Sequence, residues 1–400
     1  MKILNKFLST ATTLAMIASL ATPVLAQDTN VELTGNGAFS DNTVSLESDQ
    51  HSTVVQSNDA NVHNNVTTHL NTGGNDASFN TGGDVTVWSG DIRSEIDVSN
   101  LLNRNIAENG CCDMGDMDVL ISGNGAQSAN DVTAVSGVHH TEIFQDNTAN
   151  VGNSVHNQLE TGDNESSYNT GGVTKIRTGQ ADAMVSLLNA ANANIAFSEN
   201  GGSGSGSDTS LRVLDNGAFS DTSINLDMEQ QRTLVQSNDT SVWNNVATEI
   251  ETGGNSATFS TAEDPVILTG NARSGMRFTN LLNTNSADID CDCLLSDLSV
   301  TVDGNGAYSD NHLFNDMNRV TETFQDNSAF LDNVVRSDLN TGDNDADFGT
   351  GTHTTFIRSG NTDSWFESVN KANVNMSGDS SLNLPSVEWT WDMNWLHLGW

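Results

Sequence analysis

The sequence predicts an all-β chain wound as a β-solenoid from four repeats of about ninety residues, in two halves of about 180. Three observations predict this. Gln56-Ser57-Asn58 returns as Gln145-Asp146-Asn147, Gln236-Ser237-Asn238 and Gln325-Asp326-Asn327, at spacings of 89, 91 and 89 residues. Asn71-Thr72-Gly73 returns as Glu160-Thr161-Gly162, Glu251-Thr252-Gly253 and Asn340-Thr341-Gly342 at the same spacings. Within each repeat the apolar pattern has period two, as in a half-buried strand, and helical spacing is not sustained anywhere.

From the N-terminus, residues 1–26 read as a secretory signal: Lys2 and Lys6 at the start, an apolar middle from Leu14 to Leu20, and Val24-Leu25-Ala26 as the cleavage site. Residues 27–199 form half one, 200–209 a Gly/Ser linker, 210–376 half two, and 377–400 a Trp-rich tail. Repeats one and three carry Val-Gln-Ser-Asn, whereas repeats two and four carry Phe-Gln-Asp-Asn, so an unlike pair has been duplicated. No later stretch approaches the roughly 20 apolar residues of a membrane span. The expected location is secreted or cell-surface.

The clearest inward row is Ala60, Val62, Asn64, Val66, Thr68, Leu70, with polar Asn61, His63, Asn65, Thr67 and His69 between. It recurs in all four repeats. A second row, Asn75, Ala77, Phe79, returns with Tyr168, Phe259 and Phe348 at its aromatic position, and it too reads as inward. A third, Ile92, Ser94, Ile96, Val98, Asn100, matches Ala181, Ala183, Val185, Leu187, Asn189. Small inward residues suit a narrow core. Asparagine there needs its amide satisfied, and an in-register neighbour supplies both donor and acceptor. Asn64, Asn153, Asn244 and Asn333 are the expected ladder. Four tandem β-sandwich domains are the alternative architecture.

Gln56-Ser57-Asn58-Asp59-Ala60 and Gln145-Asp146-Asn147-Thr148-Ala149 resemble the Gln-x-Gly-x-x-Asn-x-Ala rhythm of curlin repeats in bacterial amyloid fibres. More broadly the chain resembles Asn/Gly-rich bacterial surface repeat proteins. The Gln-Gly pair is absent and the repeat is far longer than a curlin repeat. The resemblance implies an extracellular, self-associating structural role.

Charge excludes some partners. The formal net charge is −38, and loss of the two signal lysines takes it to −40, which argues against nucleic acid or anionic membrane. No nucleophile elbow, His-Glu-x-x-His, phosphate loop or dinucleotide fingerprint is present, so no enzyme is expected. Scattered carboxylates leave polysaccharide hydrolysis or lysis, or carbohydrate binding, as an alternative. Asp343, Asp345 and Asp347 alternate like the opening of a calcium loop, without its glycine or closing glutamate, so calcium is the one cofactor considered. Cys111, Cys112, Cys291 and Cys293 are expected in disulfides, with neither pair at zinc-knuckle spacing. Trp389, Trp391, Trp395 and Trp400 follow the last repeat, either as an end cap or as an assembly or anchoring strand toward self or a cell-surface partner.

Overall fold

The structure is a computed structural model describing residues 5–15, 29–109, 116–198, 208–259, 261, 263–289, 297–347 and 354–378. The cysteines, Phe348 and the four tail tryptophans named above lie outside these residues. The described chain is all-β. After β1 (Asn5–Ala15), the strands come in four sets, each short, long, short, long. The first is β2 (Thr29–Thr34), β3 (Asp41–Asn71), β4 (Val85–Trp88) and β5 (Ile92–Asn109). The second is β6 (Met117–Ser122), β7 (Ala129–Glu160), β8 (Val173–Arg177) and β9 (Ala181–Ser198). The third is β10 (Asp208–Leu214), β11 (Asp221–Glu251), β12 (Glu263–Leu268) and β13 (Ala272–Asp288). The fourth is β14 (Asp297–Asp303), β15 (Asp310–Asn340), β16 (Phe356–Arg358) and β17 (Thr362–Ser377).

Among the described residues every pairing is parallel and, apart from β1 with β5, joins one set to the next, giving the sheets β2-β6-β10-β14, β3-β7-β11-β15, β4-β8-β12-β16 and β1-β5-β9-β13-β17. Tandem sandwiches would pair strands within one repeat, and no ladder among the described residues does so. Asp208 and Thr209, read from composition as linker, begin β10, and the third set pairs directly with the second across the linker. Asn5–Ala15, within the segment read as an export signal, lies alongside Ile92–Leu102 on the outer edge of β5.

The repeat spacing explains the register. Asn58 lies opposite Asn147, which lies opposite Asn238, which lies opposite Asn327. β7 holds one residue more than β3, and the surplus is absorbed where pairing steps from Ser48↔Ser136 to Gln50↔His139. Sequence separations therefore change from 88 before this point to 89 after it.

Period-two alternation puts one face of each long strand inside. Val155 and Val246 from one long sheet meet Ile96, Val98, Val185, Leu187, Met276 and Phe278 from the other. Below them Leu159 and Ile250 meet Ile92, Ala181 and Ala272, and above them Val151 and Val242 meet Leu102, Ala191 and Leu282. Each fully buried Val, Leu or Ile contributes about 1.5–3 kcal/mol. The interior is thus a sequence of thin apolar layers, and polar layers lie between them.

Candidate functional site: amide columns with unlike ends

Asparagine forms those polar layers. From the β3 sheet, Asn64, Asn153, Asn244 and Asn333 stand in one column, with Nδ2 of each donating to Oδ1 of the next at 2.8, 2.7 and 2.7 Å. From the facing sheet, Asn100, Asn189, Asn280 and Asn370 form a second column with steps of 2.7, 2.8 and 2.7 Å. The columns also bond to each other: Asn64 to Asn100 at 2.9 Å, Asn100 to Asn153 at 3.1 Å, Asn153 to Asn189 at 3.0 Å and Asn189 to Asn244 at 3.2 Å. An amide has two donor hydrogens and two acceptor lone pairs. Asn153 and Asn189 use all four.

The arrangement recurs one layer away. Asn58, Asn147, Asn238 and Asn327 face Asn105, Asn194, Asn285 and Asn375, again joined along each column and between columns. A further column, Asn103, Asn192, Asn283 and Asn373, has φ of 54 to 62°, the left-handed region in which asparagine is unusually tolerated. Its steps are 3.0, 3.3 and 3.1 Å.

The asparagine columns run one way, from the first set toward the fourth. At the first set Asn58 Oδ1 is buried and has no hydrogen-bond partner among the described residues, and Asn64 Oδ1 accepts from no described residue. At the fourth set Asn333 accepts from Asn244, and its own Nδ2 donates to no described residue. In the asparagine columns one end therefore presents acceptors and the other donors, whereas the glutamine column runs the opposite way, Gln145 donating to Gln56, Gln236 to Gln145 and Gln325 to Gln236 at 2.7, 2.8 and 2.7 Å.

The aromatics differ from the sequence reading. Phe79, Tyr168 and Phe259 point outward, being 75, 46 and 45% exposed. They sit at φ of 53 to 63° where the chain changes direction, so period-two alternation does not carry through the turn and the rings swing to the surface. Their rings stack at 4.9 and 5.0 Å with interplanar angles of 4 and 2°. Phe219 and Tyr308 repeat this at 5.1 Å. These distances approximate the strand spacing itself.

Asp343, Asp345 and Asp347 lie on the outer face, while Asn344 and Ala346 between them are half-buried. Asn340 donates to Asp343 at 2.9 Å, and desolvation with the neighbouring Asp347 charge raises the Asp345 carboxyl above its ordinary range. No three His, Cys, Asp or Glu side chains among the described residues converge as a metal set.

A recess of about 190 Å³ is lined by Glu160, Glu249, Glu251 and Asp338. Burial, then the charges of Asp163, Glu160 and Asp343, raises the Glu251 carboxyl above its usual range. On the outer face of the other long sheet, Asp182 stands between Arg93 and Arg273. Burial outweighs both cations and lifts its carboxyl too.

Comparison with protein-family models, with curated proteins and with solved structures gives no match.

Proposed function

We propose that the protein is a secreted structural or adhesive component of a bacterial cell surface or extracellular matrix, acting by self-association and not by turnover. Its fold, on this reading, is a parallel β-solenoid in which each repeat is one coil stacked on the last. The supporting observation is the pair of unfinished amide columns, ending at Asn58 and Asn64 on one side and Asn333 on the other. A buried amide oxygen without a partner costs about 1–3 kcal/mol, which a further layer would recover. The outer edges of β2, β3 and β4 and of β14 to β17 pair with no described strand, and that of β5 would be freed on removal of β1, which favours the same reading because unpaired strand edges recruit strands. Electron microscopy of the processed protein tests it: elongated assemblies are expected with or without calcium, and uniform monomers in both conditions would overturn the proposal.

Carbohydrate binding is the second reading, favoured by the exposure of Phe79, Tyr168 and Phe259. A sugar stacks on a free aromatic face. Here parallel rings turn their faces to one another, and Tyr168 has a neighbour on both sides. The column is therefore better suited to holding turns together. A glycan array read with the wild type and with Tyr168→Ala separates the two, since a sugar site would lose binding.

A further inference from the structure

We propose that copies of this chain join only head to tail: β14–β17 of one copy stack under β2–β5 of the next, in the register by which β6–β9 meet β10–β13 within the chain. The inference rests on the self-association reading and specifies the partner and its orientation.

Polarity is the first argument. Each asparagine column donates in one direction, so the free acceptors of Asn58 and Asn64 match a donor end and not a second acceptor end. Asn333 Nδ2 is such a donor. Head-to-head contact would bring asparagine oxygen against asparagine oxygen, and the glutamine column, which donates from the fourth set toward the first, has a direction of its own that only head-to-tail stacking continues.

The internal seam between sets two and three is the second argument. Repeats two and four share Phe-Gln-Asp-Asn, and repeats one and three share Val-Gln-Ser-Asn. Stacking set four on another copy's set one therefore repeats a junction the chain already makes, where Asn147 donates to Asn238 at 3.1 Å and Asn153 to Asn244 at 2.7 Å. The same register sets Asn327 on Asn58, Asn333 on Asn64, Asp332 on His63 and Asp338 on His69. It also sets Asp310 on Asp41, a like pair the chain tolerates internally at Asp221 and Asp310.

Glycines at both ends supply the third. A Cβ on Gly73, Gly162 or Gly253 would fall on the carbonyl oxygen of the glycine in the following set, namely Gly162, Gly253 and Gly342. Gly342 has no such neighbour, and a Cβ there would meet only Asn340 Oδ1 at 3.6 Å. A second column points the other way: a Cβ on Gly125, Gly217 or Gly306 would strike the backbone of Ala38, Ala126 or Ala218, whereas one on Gly37 meets nothing within 4 Å. Within one copy, neither Gly37 nor Gly342 needs to be glycine. A head-to-tail junction requires both, because Gly342 would lie against Gly73 of the next copy and Gly37 against Ala307 of the preceding one.

β1 covers the outer edge of β5 on the side where the preceding copy would arrive, so the junction needs the processed chain. Such a contact does not close on itself and extends as an open column.

The test uses the processed protein carrying Gly342→Ala or Gly37→Ala, followed by analytical ultracentrifugation and electron microscopy. Both variants should keep the wild-type circular dichroism and melting temperature. Each alone should stay monomeric where the wild type elongates. Mixed in equal amounts they should give dimers and nothing longer, since the mixture contains one intact end of each kind. Long assemblies from either variant alone, or a mixture that remains monomeric, would overturn the head-to-tail inference while leaving self-association standing. A wild type that never assembles removes the underlying reading, and this inference with it.

Discussion

Asn153 and Asn189 approach from opposite sheets and meet amide to amide, Asn153 Nδ2 donating to Asn189 Oδ1 at 3.0 Å. Asn153 also accepts from Asn64 and Asn100 and donates to Asn244. Asn153→Ala therefore orphans groups on several buried neighbours at once. The expected loss is about 3 kcal/mol, the upper part of the range for one unsatisfied buried group, read as a lower urea midpoint. Asn64→Ala, at the edge of the same column, should cost less.

Gly253→Ala is expected to be more damaging than its size suggests. The new methyl group would meet the Gly342 backbone carbonyl, which has no freedom to rotate away. Loss of cooperative thermal unfolding in this variant, beside an unchanged Gly342→Ala, would establish that the close approach and not the extra carbon is responsible.

Tyr168 lies between Phe79 and Phe259 in an outward stack and holds φ at 57°. Tyr168→Ala removes two ring contacts, each worth about 0.5–1.5 kcal/mol, and keeps the backbone strain. Tyr168→Gly relieves the strain as well. Thermal melts should rank wild type above the glycine variant, and the glycine variant above or equal to alanine.

The Asp182 carboxyl is held above its ordinary range by burial. A raised acid binds its proton more tightly folded than unfolded, so its contribution is fully present below the unfolded value and lost as pH rises through the folded one. Asp182→Asn, which mimics the protonated form, should be more stable than wild type at pH 7. The difference should vanish toward about pH 3, below the ordinary aspartate value. Urea titrations across this range check it, and a variant less stable than wild type at pH 7 would show that Arg93 and Arg273 dominate instead.

Much of the strand pattern is legible in the sequence because a strand's side chains alternate: the row from Ala60 to Leu70 shows its buried face without reference to anything else. The Asn64 column can be read from the same row, since asparagine recurs there among aliphatics. Its partner Asn100 ends a readable row, but which two columns face each other depends on how the chain turns between β3 and β5, and no local pattern encodes that. Asn103 and Phe79 escape for a different reason. Both adopt left-handed φ, which reverses the side expected from counting by twos and sends Asn103 inward and Phe79 outward. Their repetition at spacings of 89 to 91 residues was the available signal, because unrelated segments would not keep an aromatic or an asparagine at one place.

The surplus residue in β7 is absorbed between Ser48 and Gln50 of β3, and pairing on either side proceeds without further slip to Asn71↔Glu160. Length errors are thus healed within two residues in that part of the strand. The same surplus placed between Gln56 and Leu70 would turn the rest of the inward row outward and bring the residues between, such as His63, Asn65 and Thr67, into the interior. Two stretches of one continuous strand therefore differ in what they can survive: the first accepts insertion and deletion, whereas the second accepts only replacement, one column at a time.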